Sequence, residues 1–373
     1  MVNLDPGQIR SWSPKHKEAC NLTSKPSTIN PLNYLYLAIP FSLYFELTHR
    51  QVPLFFAASL AIIPLAGLMG KATEELAFYF GPKIGSFLNA TLGNATELII
   101  TLFALKKGLF EVIKASLAGS ILGNILLVLG FSMLLGGIRN GTQYFHRQNT
   151  ANQTSLMFLA VIALVIPATF FQKAVHGQIY KLNELSLIIA SLLFIVYLAS
   201  MLASFRGTDP LGVRHEETHE ATWSRGKALL MLFISTVLVA LEAELLVSSI
   251  EPVTQALRWS QFFVGIVIIP IIGNAAEHST ALIMALKNQM NIAVEIAVGS
   301  SSQIALLVTP ILVFLSYVWG NPMNLFFNYY EIIALASAVL IAIFISLDGE
   351  SNWLEGAQLI VAYLIIAAAF YFV

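Results

Sequence analysis

Charge is what this chain has least of. Of its 373 residues, only 11% are Asp, Glu, Lys or Arg, against about 25% in an ordinary soluble domain. Hydrophobic residues make up 57% and the mean hydropathy is +0.75. The charges have been cleared out of long apolar runs, which excludes a soluble globular protein and indicates an integral membrane protein. Net charge is −1, so nothing in the balance favours a nucleic-acid partner. Cysteine occurs once, at Cys20, which excludes an internal disulfide framework and any multi-cysteine metal site. The first 31 residues lack an apolar core of the signal-peptide kind and are rich in Pro, Ser and Lys. They read as a polar terminal tail.

What is present is apolar length. A helix needs about 20 apolar residues to cross a bilayer, and eleven candidate spans meet or approach that ruler. They run near 32–47, 52–70, 84–105, 109–137, 154–171, 184–205, 227–249, 260–286, 291–319, 328–347 and 353–372. The runs are too long and too uniformly apolar for the alternating strands of a barrel. The longest polar break, Arg206 to Lys227, carries Asp209, Glu216, Glu217 and Glu220 and separates five spans from five more.

Inside the apolar runs a phrase is said twice: Gly93-Asn94-Ala95-Thr96-Glu97 and Gly273-Asn274-Ala275-Ala276-Glu277, 180 residues apart. Gly119-Ser120 and Gly299-Ser300 repeat at the same offset. The chain therefore reads as an internal repeat. An odd number of spans per copy makes the second copy enter the membrane from the opposite side, as in transporters built from inverted repeats. The predicted organisation is a tail (1–31), a first helix and loop (32–51), a five-helix repeat (52–205), an acidic cytoplasmic linker (206–226) and a second five-helix repeat (227–373). With the N-terminus in the cytoplasm, thirteen Lys and Arg fall on that side and seven on the other, which favours that orientation.

An ionisable residue within a span marks a functional site. On a helix, Asn94 and Glu97 share a face, as do Asn274 and Glu277. Brought together, they offer two carboxylates and two amide oxygens, hard donors that suit Ca²⁺ but do not separate it from Mn²⁺. Two bare carboxylates in a low-dielectric cavity are costly. One Ca²⁺ neutralises them, and so do two protons, so only a loaded site crosses readily between inward and outward states. That logic makes exchange obligatory and argues against a passive channel. An intramembrane enzyme such as a metalloprotease would need a zinc-binding constellation in a span, and Glu277-His278 alone is insufficient.

The doubled motif, in spans three and eight, resembles the two signature motifs of the calcium/cation–proton exchanger family. The segments Gly119-Ser-Ile-Leu-Gly-Asn-Ile-Leu and Gly299-Ser-Ser-Ser-Gln-Ile-Ala are similar to that family's following helices. The likeness covers residues 32–373. It implies an eleven-helix antiporter, with no cofactor, that expels Ca²⁺ against a proton gradient, Glu97 and Glu277 alternating between cation and protons. Asn94 and Asn274 join them as metal ligands. Ser120, Asn124, Ser300, Ser301 and Gln303 match positions that line the family's cavity, and Glu244 stands where it carries an acid near the cation path. His278 is placed beside the site as a tuning or proton-linked group. Glu74, Glu75, Glu111 and Glu295 are read as solvated groups near span ends. Na⁺/H⁺ or Mn²⁺/H⁺ exchange and Na⁺-driven Ca²⁺ transport remain alternatives, in a cell membrane in preference to an organelle membrane.

Overall fold

The structure, a computed structural model, describes residues 31–171, 179–205 and 221–372. The polar tail with Cys20 and most of the acidic linker lie outside the described residues. So does His215-Glu216-Glu217-Thr218-His219, a His-Glu-x-x-His string. It falls in the polar break and not in a span.

We number the helices α1 (Tyr34–Leu47), α2 (Gln51–Leu92), α3 (Ala95–Lys106), α4 (Phe110–Asn140), α5 (Arg147–Phe171) and α6 (Ile179–Phe205). The second half holds α7 (Arg225–Leu257), α8 (Gln261–Gly273), α9 (Ala275–Leu286), α10 (Met290–Val318), α11 (Tyr329–Ile345) and α12 (Trp353–Tyr371). Among the described residues, seven helices are long and apolar enough to cross a membrane, and α8 with α9, bent by 60°, makes an eighth. Helices α1 and α11 are apolar but shorter.

Local chemistry explains the breaks. The expected third span is divided. Residues 82–92 continue α2 beyond a bend at Gly81 (φ 79°, ψ 171°), a backbone that glycine tolerates and that suits the residue before Pro82. At Asn94 (φ −93°, ψ 22°) and Asn274 (φ −93°, ψ 13°) each motif interrupts its helix, so α3 and α9 start afresh. Asn328 and Asn352 form capping boxes with Glu331 and Glu355, which satisfy the orphan amides at the starts of α11 and α12. π-helical turns widen α4 at Gly123–Val128, α8 at Val264–Ile268 and α10 at Ile304–Val308. Those in α4 and α10 fall at matching points of the repeat.

Helices meet their own counterparts: α2 runs along α7, and α5 along α11. Small residues permit backbone-to-backbone approach, as expected where lipid removes any hydrophobic drive between helices. A Cβ on Gly119 of α4 would strike the Ile266 backbone of α8, one on Gly265 would strike Ala115 and Val112 of α4, and one on Gly356 of α12 would strike Gly130 and Leu134. The loop Gln143–Tyr144 pairs antiparallel with Glu350–Ser351. Gln143 also donates to the Ala285 carbonyl (2.9 Å) and Asn288 (2.9 Å), tying the first half to the α9–α10 turn. Lys114 donates to Asn324 and the Phe326 carbonyl, both at 2.8 Å, tying α4 to the loop before α11.

One departure from symmetry matters for function. Val264, beside Gly265, is fully buried against α4, whereas its counterpart Ile84, beside Gly85, is 50% exposed. Likewise Gly299, the counterpart of Gly119, faces only the Gln153 side chain, 3.7 Å from where its Cβ would lie.

Candidate ion-binding site

The two motifs meet. Glu97 lies in the first turn of α3 and Glu277 in the first turn of α9, where the positive end of the helix dipole favours a carboxylate. Glu97 is buried, and a Cβ on Gly273 of the other motif would sit 3.1 Å from its Oε1. The charge of Glu277 bears directly on Glu97. Neither oxygen of Glu97 has a hydrogen-bond partner, so an acid in the protein interior presents both oxygens to whatever enters.

The asparagines are held crosswise. Asn94 donates to Gln303 (2.7 Å) and accepts from Ser300 (2.7 Å), both on α10. Asn274 donates to Ser120 of α4 (3.1 Å) and to the Pro270 carbonyl (3.0 Å), which also accepts the Asn274 backbone N–H (3.0 Å). Asn124 bridges the halves by donating to Asn274 (3.4 Å) and Ser300 (3.1 Å). Each motif is thus fixed by the Gly-Ser helix of the opposite repeat. Buried amides satisfied in this way specify one arrangement.

The remaining residues named from the sequence are placed as follows. His278 is half-buried, and its Nε2 is buried without a hydrogen-bond partner. Ser301 is fully buried and donates to the Ala297 carbonyl of its own helix (2.8 Å). Glu244 is exposed on the surface of α7 and does not join the group. Its neighbour two residues earlier, Glu242, is buried, with Ser42 of α1 at 2.8 Å. Glu75 accepts from the Thr222 and Trp223 amides (2.8 and 2.9 Å) and anchors the end of the linker to α2. Glu74 is exposed, as read from the sequence. One group escaped the sequence reading. Gln153 reaches Gly299 from α5, and no sequence signal marked it.

Among the described residues, no group of three or more His, Cys, Asp or Glu side chains could hold a metal. An ion here would therefore rely on the paired carboxylates with amide and hydroxyl oxygens, a donor set for a hard cation.

A helical protein with seven helices fit to cross a membrane among its described residues, eight with the bent pair, and with two like halves around paired Gly-Asn-Ala-x-Glu breaks, is a membrane ion exchanger by fold and site. Residues 51–206 and 227–372 each match the family described as "Sodium/calcium exchanger protein", and the chain belongs to it, in its calcium/cation–proton exchanger branch. Among its relatives are a "Ca(2+)/H(+) antiporter" of Aphanothece halophytica, 44% identical over 91% of this chain and 95% of that protein, and the "Ca(2+)/H(+) antiporter ChaA" of Bacillus subtilis, 45% identical over 89% and 96%. The solved structure of native YfkE superposes with a TM-score of 0.80 at 42% identity, covering 92% of this chain and all of that one.

Proposed function

We propose that the chain exchanges Ca²⁺ for H⁺ across the cell membrane by alternating access, with its N-terminus in the cytoplasm. Glu97 and Glu277 bind the cation and protons in turn, and Asn94 and Asn274 complete the ligand set. The observation that carries this reading is the seat of Glu97: a buried carboxylate with two unoccupied oxygens, laid against the glycine of the second motif. The names of the A. halophytica and B. subtilis relatives, alike along nearly their whole lengths, support the choice of Ca²⁺ and H⁺.

The charge logic is that of a site costly when bare. With both carboxylates ionised and no cation, reorientation carries two charges through low dielectric. A bound Ca²⁺ or two protons removes that cost, so the loaded forms are the ones that cross. Ser120, Asn124, Ser300, Ser301 and Gln303 serve as the polar wall and the brace of the asparagines. His278 and Glu244 serve the approach and the proton path. Rocking of one half against the other would open the site to each side of the membrane in turn.

The test uses proteoliposomes with an imposed pH gradient, following Ca²⁺ beside an internal pH dye, for wild type and Glu277→Gln. Gradient-driven Ca²⁺ uptake with matching proton efflux, lost in the variant, is the expected result. Proton movement with Na⁺ or Mn²⁺ but not Ca²⁺ would overturn the substrate, and no coupled flux with any cation would overturn the antiporter.

A further inference from the structure

Glu242 is a buried acid to which the transport cycle gives no task. It lies in the middle of α7, 2% exposed, against Ser42 of α1, which is fully buried. Helix α1 belongs to neither repeat. It is seated on α2 and α7, where its polar contacts are the Tyr36 hydroxyl donating to the Pro64 carbonyl (3.1 Å) and the Ser42–Glu242 pair.

The hydrogen count at Ser42 is informative. Its Oγ lies 2.7 Å from the Ile39 carbonyl oxygen and 2.8 Å from Glu242 Oε1. A serine hydroxyl has a single proton to donate, while a carbonyl has none. Two short O···O contacts therefore need two protons between three oxygens. Ser42 supplies the one directed at Ile39, and the other must sit on Glu242. Burial leads to the same result. The second oxygen, Oε2, has no partner, and an ionised carboxylate with a single donor and no counter-charge is strongly disfavoured within a membrane. The ionisable groups on the elements packed against α7 are Glu46 and tyrosines 34, 36 and 44 on α1, Lys71, Glu74, Glu75, Tyr79 and Lys83 on α2, and Glu97 and Lys106 on α3. None of them is hydrogen-bonded to Glu242, whose hydrogen-bonded neighbour among the described residues is Ser42.

We propose that Glu242 holds a fixed proton, donated to Ser42, and that this neutral carboxyl fastens the extra helix α1 to α7. It is a positioning residue. Its proton is not exchanged for the cation, so the proposal does not depend on which ion is transported, and its first test needs no transport.

The experiment is infrared difference spectroscopy of the full-length protein in the carboxylic C=O stretch region. At neutral pH, wild type should show a protonated-carboxyl band that is lost in Glu242→Gln and shifts in Ser42→Ala. The band should persist well above the pH range in which ordinary carboxyl groups ionise. Identical wild-type and Glu242→Gln spectra would mean that Glu242 is ionised, and would overturn the proposal. A band indifferent to Ser42→Ala would do the same, and that arm stands if the first variant fails to fold. In proteoliposomes, Glu242→Gln, which keeps a donor in place, should retain coupled flux. Loss of flux like that expected for Glu277→Gln would make Glu242 a transport carboxylate and overturn the fastening role.

Discussion

Glycine at position 273 has a task that its size alone performs. Its missing side chain leaves room for the Glu97 carboxylate. Gly273→Ala should leave the protein folded and weaken Ca²⁺ binding, as isothermal titration would report; unchanged affinity would detach Glu97 from that seat. Asn94, itself buried, acts differently, because it satisfies two partners at once, the half-buried Gln303 and the buried Ser300. Removing one member of a buried polar pair costs about 1–3 kcal/mol, so Asn94→Ala should lower thermal stability in detergent as well as transport. The importance of these residues was legible in the sequence because amide and carboxylate do not belong in apolar helices unless something uses them. Their crosswise bonding was not, since a three-residue spacing gives a shared face and not the identity of the facing helix. Glu242 and Glu244 show the same limit. Helical geometry separates their directions, but the one turned inward is decided by α1, which has no counterpart in the repeat.

At the scale of elements, the halves carry the same breaks but not the same packing. Gly119 is closed on by the backbone of Ile266, whereas Gly299 meets a side chain at ordinary contact distance. Overpacking a tight contact costs about 1–3 kcal/mol. Gly119→Ala should therefore lower the melting temperature and Gly299→Ala should leave it nearly unchanged, a contrast that a single thermal-shift comparison checks. Equal losses would mean that the two positions are packed alike. Apolar length and the doubled phrase gave the element order. The π-helical turns could not be read, because no residue type demands them, and the bend at Gly81 was hidden within an apolar stretch although Gly-Pro marks it. The asymmetry is also invisible in sequence: Gly85 and Gly265 are the same residue, yet Gly85 is closed on by Ala77 of its own helix and Gly265 by Ala115 and Val112 of α4.

At the scale of the molecule, folding and ion binding are linked. A ligand that binds only the folded state at 100 times its Kd adds about 2.7 kcal/mol. Saturating Ca²⁺ should thus raise the melting temperature of wild type and leave a Glu97→Gln/Glu277→Gln double variant unmoved. A rise in both would place the binding elsewhere.

The matching breaks at Asn94 and Asn274, which share φ −93° and differ by only 9° in ψ (22° against 13°), have a bearing on which way the machine runs. The two halves bend alike at these breaks but are braced differently, Asn94 by Gln303 and Ser300 and Asn274 by Ser120 and the Pro270 carbonyl. Like breaks do not make a ratchet, and neither does unlike bracing, because the arrow of a coupled exchange comes from the membrane's gradients alone. In the proposed exchanger a reversed proton gradient should therefore drive the same cycle backwards, at whatever pace the unlike bracing allows.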